Sequence, residues 1–289
     1  MSAKRRFLDH VVSNLKNEWN LLKRPIVFGT IIFTGLVQWM HSAAHNLVYY
    51  IAGQYRVYGG NDNTLTDLGF IGMEKILPDM TEFSNSMLFT MAGLAVAVCG
   101  SVLFTNYLIQ DTKLRMMGML VRACWVCCIA VFLRVVSFLI TILPAPAPHC
   151  AKATFNPPKT TSDIIFKFDL GGGCSDLLFS SHQLYGLVAA CAMHHYLVVG
   201  NKAFKNTPKL QRAIQISLLV IGWVIVLVEG LAIIRQKRHY SIDIFTAFYA
   251  VPLTWMSIAY LFPNDVADAK QNKKEVENNK DTDTTTSTV

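Results

Sequence analysis

One short stretch of this 289-residue sequence sets an imidazole and a carboxylate four positions apart: His239-Tyr-Ser-Ile-Asp243. On a helix, residues at that spacing share a face and touch. A carboxylate bonded to one ring nitrogen fixes the tautomer, stabilises the cation that forms, and leaves the other nitrogen free to attack. A second imidazole, His182, closes the stretch Gly171-Gly-Gly-Cys174-Ser-Asp176-Leu-Leu-Phe-Ser180-Ser181-His182. It could protonate a leaving oxygen and then deprotonate an incoming hydroxyl. Arg235, Lys237 and Arg238, just before His239, would attract a phosphate. Any one of these histidines alone reads as a hydrogen-bonded interfacial residue. Together with the aspartate and the basic cluster they fit phosphoryl transfer at a membrane surface.

The elements that must hold these groups follow from composition. Hydrophobic residues make up 52% of the chain and charged residues only 16%, against about 25% charged in an ordinary soluble domain. Mean hydropathy is +0.35. Such a chain has too little charge to coat a globule. Six stretches are long and apolar enough to cross a bilayer, which takes roughly 20 residues of helix: 26–52, 86–107, 116–142, 177–199, 213–234 and 241–262. Among the prolines only Pro252 falls inside one of them, as proline's cost in a helix interior requires. The expected fold is an all-α polytopic membrane protein with six transmembrane helices in one bundle. Residues 1–25 form a basic cytosolic segment, 26–262 the six-span phosphotransferase domain and 263–289 a disordered cytosolic tail.

Orientation follows from Lys and Arg. The chain has 26 of them against 19 acidic residues, a net +7. Sixteen lie in the N-terminal segment, the second and fourth connections and the tail, and eight in the other three connections. By the positive-inside rule both termini are cytosolic. His182 and His239 then both start spans on the lumenal or exoplasmic side. The basic excess thus reads as topology, which removes nucleic acid as a partner. Cys99, Cys124, Cys127, Cys128 and Cys191 fall inside spans and read as small hydrophobes, not as a metal site. Cys150 and Cys174 fall in or beside the third connection, where a disulfide is chemically permitted.

These residues resemble a known family. Cys174-Ser-Asp176-Leu-Leu-Phe-Ser180-Ser181-His182, followed by His239-Tyr-Ser-Ile-Asp243, is similar to the paired active-site motifs of the sphingomyelin synthase and inositol phosphorylceramide synthase family, itself related to lipid phosphate phosphatases. Leu77-Pro78-Asp79 resembles its first-loop motif. Arg134, with Leu143-Pro144-Ala-Pro146 after it, resembles its arginine-bearing third span. Gln38-Trp-Met-His41 and Thr64-Leu-Thr-Asp67-Leu-Gly-Phe70 look closest to the plant and protist inositol-transferring branch.

The resemblance implies an enzyme that moves a phospho-headgroup from a glycerophospholipid to ceramide and releases diacylglycerol, with inositol phosphate favoured and choline phosphate next. His239 would be the nucleophile, Asp243 its orienter and His182 the acid/base partner. Asp176, Ser180, Ser181, Arg134 and Arg238 would bind substrate: Arg134 on the donor phosphate, and Asp176 on an inositol hydroxyl or on His182. No metal or organic cofactor is required. The family's usual home is the Golgi membrane, with the plasma membrane as the other option. Ser175 and Gln183 depart from the family pattern and leave the headgroup open, as the sequence leaves the oligomeric state.

Two other function classes were weighed. A lipid phosphate phosphatase shares the core chemistry but ordinarily carries an upstream basic motif that is absent ahead of His182. A transporter would show repeated or broken spans, and none is visible. His41 and His45 read as interfacial packing or headgroup binding, and Glu229 as protonated, paired or turned toward water.

Overall fold

The structure, a computed structural model, describes residues 3–60, 64–77, 116–167, 174–195, 197 and 209–262, together with 86, 89, 90, 93 and 96. Among these there are eight α-helices: α1 (Ala3–Leu22), α2 (Pro25–Gln54), α3 (Leu68–Ile76), α4 (Met116–Ile140), α5 (Thr161–Phe166), α6 (Ser181–His194), α7 (Lys209–Arg235) and α8 (Ser241–Leu261). No strand occurs among the described residues; one isolated bridge joins Gly59 to Ala151.

Local chemistry sets the helix starts. Pro25 occupies the first turn of α2, where its missing N–H costs nothing. Asp67 caps α3 by accepting from the Gly69 N–H, Thr160 and Asp163 form a capping box on α5, and Ser180 caps α6. Four helices are long and apolar enough to cross a membrane: Pro25–Gln54, Met116–Ile140, Arg212–Arg235 and Ser241–Leu261. They match the expected first, third, fifth and sixth spans. The second, 86–107, lies almost wholly outside the described residues, as does the tail. The fourth is described as the 14 residues of α6 and little beyond.

The bundle packs α2 on α4, and α6 against α4, α7 and α8. Its core is largely apolar: Val126 and Val131 of α4, Leu184 and Leu187 of α6, Val226 of α7, and Ala247 and Val251 of α8 are all buried. A second cluster closes one end, where Tyr49, Phe70, Cys150, Cys174, Leu177, Ile233 and Tyr240 meet. That end gathers the C-termini of α2, α4 and α7 with the N-termini of α6 and α8.

At the opposite end Glu18 of α1 accepts from the free N–H groups of Met116 and Met117 at 3.0 and 2.9 Å, a carboxylate answering a helix N-terminus. Arg122 there bonds His195 and the Phe262 carbonyl. So α1 and the last turn of α8 share one end of the bundle, and His239 lies at the other.

The loops at the His239 end are clipped together. Gly59 and Gly60 donate to the Cys150 and Ala145 carbonyls, both at 2.9 Å. Glycine is required at both: a Cβ on Gly59 would lie 2.0 Å from the Ala145 oxygen, and Gly60 has φ +87°, in the left-handed region that only glycine visits freely. Cys150 and Cys174 form a disulfide, with Cα atoms 5.4 Å apart. The sequence permitted this bridge without fixing it. It also ties up both thiols of the group His149, Cys150 and Cys174, which otherwise has metal-ligand spacing.

Candidate active site

The turn between α7 and α8 builds the centre of the site. After Arg235 the chain reverses with Lys237 at φ +54°, while the Lys237 and Arg238 N–H groups donate back to the Ile234 and Ile233 carbonyls. This is a Schellman end to a helix, with lysine where glycine is usual. Lys237 Nζ reaches Glu74 Oε1 of α3 at 2.8 Å, which holds the Glu74 carboxyl below its ordinary value. Arg235 Nε donates to the Leu77 carbonyl at 2.9 Å. Two of the three cations expected to attract phosphate are therefore engaged with the first connection. Arg238 is the one within electrostatic reach of His182.

His239 follows immediately. Its Nδ1 lies 3.0 Å from Asp243 Oδ2. Asp243 is fully buried, and its carboxylate also accepts from the Tyr240 N–H at 3.1 Å and the Leu178 N–H at 3.0 Å. With Asp243 accepting, His239 donates from Nδ1, and in the neutral imidazole the lone pair lies on Nε2. Leu178 sits at φ +75°, uncommon for a leucine, and that turn aims its N–H at the carboxylate.

His182 lies in the first turn of α6. His239, Arg238, Arg134 and Asp176 are the charged groups within its electrostatic reach. Ser180 is fully buried and spends its hydroxyl on the Gln183 N–H at 3.5 Å. Ser181 opens the helix half-buried.

Arg134, from the buried face of α4, donates through Nε to His41 Nε2 at 3.1 Å and through Nη2 to Asp176 Oδ2. Two of the three guanidinium nitrogens are thus occupied within the protein. His45 Nε2 lies 3.7 Å from Asp176 Oδ1. Burial alone would raise the Asp176 carboxyl; the electrostatic pull of the neighbouring His45 and Arg134 outweighs it and holds the group at about 2. Among the site residues read from sequence, His182, His239, Asp243, Arg134, Arg238 and Asp176 converge. His41 and His45 join them through Arg134 and Asp176, a grouping that no spacing within one segment signals.

Sequence reading also missed Asp67. Its Oδ1 accepts from the Gly69 N–H and the Ser241 hydroxyl, and its Oδ2 from the Ser241 N–H, each at 2.7 Å. One carboxylate thereby caps α3 and the helix that carries Asp243. The visible signal was an aspartate immediately before a helical pattern. Tyr240 adds to the hold: its hydroxyl accepts from the Leu65 N–H at 3.1 Å and donates to the Pro144 carbonyl at 2.8 Å. Glu229 pairs with neither Arg134 nor the histidines. It is fully buried with both oxygens unpartnered, and a Cβ on Gly186 would lie 2.7 Å from its Oε2. Where the end of α7 meets the start of α8 runs a groove of about 460 Å³, lined by Ile234, Ser241, Ile242, Ile244, Phe245 and Phe248.

Two histidines brought together at helix starts, one of them oriented by a buried carboxylate, fall within a matched family region: residues 173–260 fit the PAP2 superfamily C-terminal model. Similarity to individual proteins runs over most of the chain. It is 28% identical over 246 residues to the phosphatidylinositol:ceramide inositolphosphotransferase of Oryza sativa subsp. japonica, covering 83% of this chain and 64% of the rice protein. Phosphatidylinositol:ceramide inositolphosphotransferase 2 of Arabidopsis thaliana is 28% identical over 77% of this chain and 66% of its own length. Number 3 of that plant is 25% identical over 87% and 77%. The chain thus spans just under two thirds of the rice and first Arabidopsis relatives. The resemblance read from the motifs holds, and it holds toward the inositol branch.

Proposed function

We propose that this chain is a membrane phosphotransferase that moves inositol phosphate from phosphatidylinositol to ceramide. The observation that carries the reading is His239, held by Asp243 through Nδ1 with Nε2 as its other ring nitrogen, in the same cluster as His182, Arg238 and Arg134. The names of the similar plant proteins support the donor and the acceptor. The bundle has six spans with both termini in the cytosol. Its site faces the lumenal or exoplasmic side of the membrane, of the Golgi by preference. The common end of α1 and α8, remote from His239, and a disulfide beside the site both support that orientation.

In the first step His239 Nε2 attacks the donor phosphorus. A P–N bond forms, the bond from phosphorus to the diacylglycerol oxygen breaks, and His182 protonates that oxygen. In the second step His182 takes the proton of the ceramide primary hydroxyl, whose oxygen attacks the phosphohistidine. The P–N bond breaks and His239 returns to its starting state. Arg238 and Arg134 stabilise the charge on the transferring phosphoryl oxygens. The apolar groove between the end of α7 and the start of α8 takes an acyl chain of a lipid substrate.

The test is transfer to fluorescent ceramide by membranes carrying the protein, resolved by thin-layer chromatography with phosphatidylinositol, phosphatidylcholine and phosphatidylethanolamine as parallel donors. Inositol phosphorylceramide should form, and His239→Ala and His182→Ala should each abolish it. Release of inorganic phosphate from lipid phosphates without transfer would replace this reading with a phosphatase.

A further inference from the structure

The polar residues along the buried face of α2 divide into those whose partners are complete and those whose partners are not. Gln38 Oε1 accepts from the Tyr185 hydroxyl at 2.7 Å. Asn46 Nδ2 donates to the carbonyls of Asp163, Ile164 and Lys167. Between them the pattern changes. His41, Ser42 and His45 are at most 7% exposed, yet among the described residues His41 Nδ1, Ser42 Oγ and His45 Nδ1 have no hydrogen-bond partner, nor does Nη1 of the Arg134 that bonds His41.

A buried polar atom without a partner is costly. One of these four lies on Arg134 itself, and two on the imidazoles that reach Arg134 and its partner Asp176 through their other nitrogen. The fourth lies on Ser42, between those imidazoles in sequence, and together they point to a ligand. Ser42 makes the point by contrast: the hydroxyls of Thr30, Thr34, Ser137, Thr254 and Ser257 each donate to the carbonyl four residues back, the ordinary resort of a hydroxyl in a helix. Ser42 does not.

The protonation states follow from the partners. Arginine only donates, so His41 Nε2 accepts from Arg134 and its proton sits on Nδ1. The cluster therefore offers donors at His41 Nδ1 and Arg134 Nη1, a two-way hydroxyl at Ser42, an imidazole nitrogen at His45, and an ionised acceptor at Asp176. A phosphorylated polyol supplies the complement, with phosphate oxygens for the donors and hydroxyls that both give and take. A quaternary ammonium has no hydrogen-bonding atom and is recognised by open aromatic faces. The ring at this place, Phe138, already lies under the Arg134 guanidinium at 5.6 Å.

We propose that His41, Ser42 and His45, together with Arg134 and Asp176, form the headgroup compartment of the site, built for a phosphorylated polyol and against quaternary ammonium. This rests on the phosphotransferase reading above and assigns its donor selectivity to α2.

The experiment uses the full-length protein in detergent–lipid micelles, with His41→Gln, His45→Gln and Ser42→Ala compared against wild type. Glutamine keeps a polar atom near the Nε2 position and removes Nδ1; alanine at 42 removes one hydroxyl with little change in volume, so at least that variant should fold. The KM for phosphatidylinositol should rise about five- to ten-fold per variant, the scale of one lost hydrogen bond, while the KM for ceramide stays within two-fold. The preference for phosphatidylinositol over phosphatidylcholine should narrow by a similar factor. Unchanged donor KM and unchanged preference in all three variants would overturn the compartment and leave the transferase standing. So would equal losses for both donors accompanied by a lower Tm, since packing alone would do that. Binding of glycerophosphoinositol to wild type, weakened in the variants, is the second arm. If it is seen without any transfer to ceramide, the transferase falls and the compartment stands.

Discussion

At the residue scale the chemistry depends on Asp243 being a carboxylate and not merely a hydrogen-bonding group. It accepts from His239, Tyr240 and Leu178 together. An amide of the same shape must turn an N–H toward one of those donors, or toward His239 and force its proton to Nε2, where it blocks attack. Asp243→Asn should therefore lower kcat by about 10³–10⁴, as loss of a tautomer-fixing carboxylate does elsewhere. The loss of stability read from Tm should stay at about 1–3 kcal/mol, since the amide leaves one of three buried donors unpaired. A drop in ceramide transfer of less than ten-fold, measured on folded protein, would remove Asp243 from the orienting role. His239 and Asp243 were legible in sequence because they lie four positions apart in one segment. The spacing suggested a shared helix face, whereas His239 stands just ahead of the cap of α8 and reaches Asp243 in the first turn of α8. The partnership of Arg134 with His41 and Asp176 was not legible, because three separate segments must meet to make it.

At the element scale the question is what fixes the start of α8. Asp67 clips it by two bonds to Ser241 while capping α3. Asp67→Ala should cost about 1–2 kcal/mol from the lost cap and loosen the entry of the helix that carries Asp243. Thermal unfolding in detergent checks the first effect, and kcat with unchanged KM for both lipids checks the second. Asp67→Asn, which keeps oxygen acceptors on both sides only in part, should fall between wild type and alanine. A variant as stable and active as wild type would mean that Tyr240, bonded to Leu65 and Pro144, anchors α8 alone. Long helices such as α2, α4, α7 and α8 were legible from apolar runs bounded by proline and charge. Short ones such as α3 and α5 were not, because nine and six residues give too few turns for a period to show. Their caps were the only available signal.

At the scale of the whole molecule, charge asymmetry and alternating helix directions agree on a bundle whose two ends differ in kind. One end is held by α1 through Glu18 and by Arg122, and the other by loops around the site. Composition alone predicted lipid as the main solvent, and the outward faces bear that out, with Phe28, Leu36, Phe132, Ile221, Phe245 and Met256 exposed. What composition could not reach is the cross-link between Cys150 and Cys174, since two distant thiols come within range only once the fold exists. That cross-link separates two events in the making of the molecule. Spans can enter the bilayer during synthesis, whereas a bridge enclosing 24 residues of sequence separation closes only after both thiols reach an oxidising compartment. Insertion and maturation are then distinct. Chains translated into microsomes under dithiothreitol should be membrane-integrated but weakly active, lacking a constraint of about 3 kcal/mol beside Asp176. Oxidised glutathione should raise their activity with no further synthesis, in step with the gel shift that reports the bridge. Full transfer activity before oxidation would show that the chain is finished at insertion.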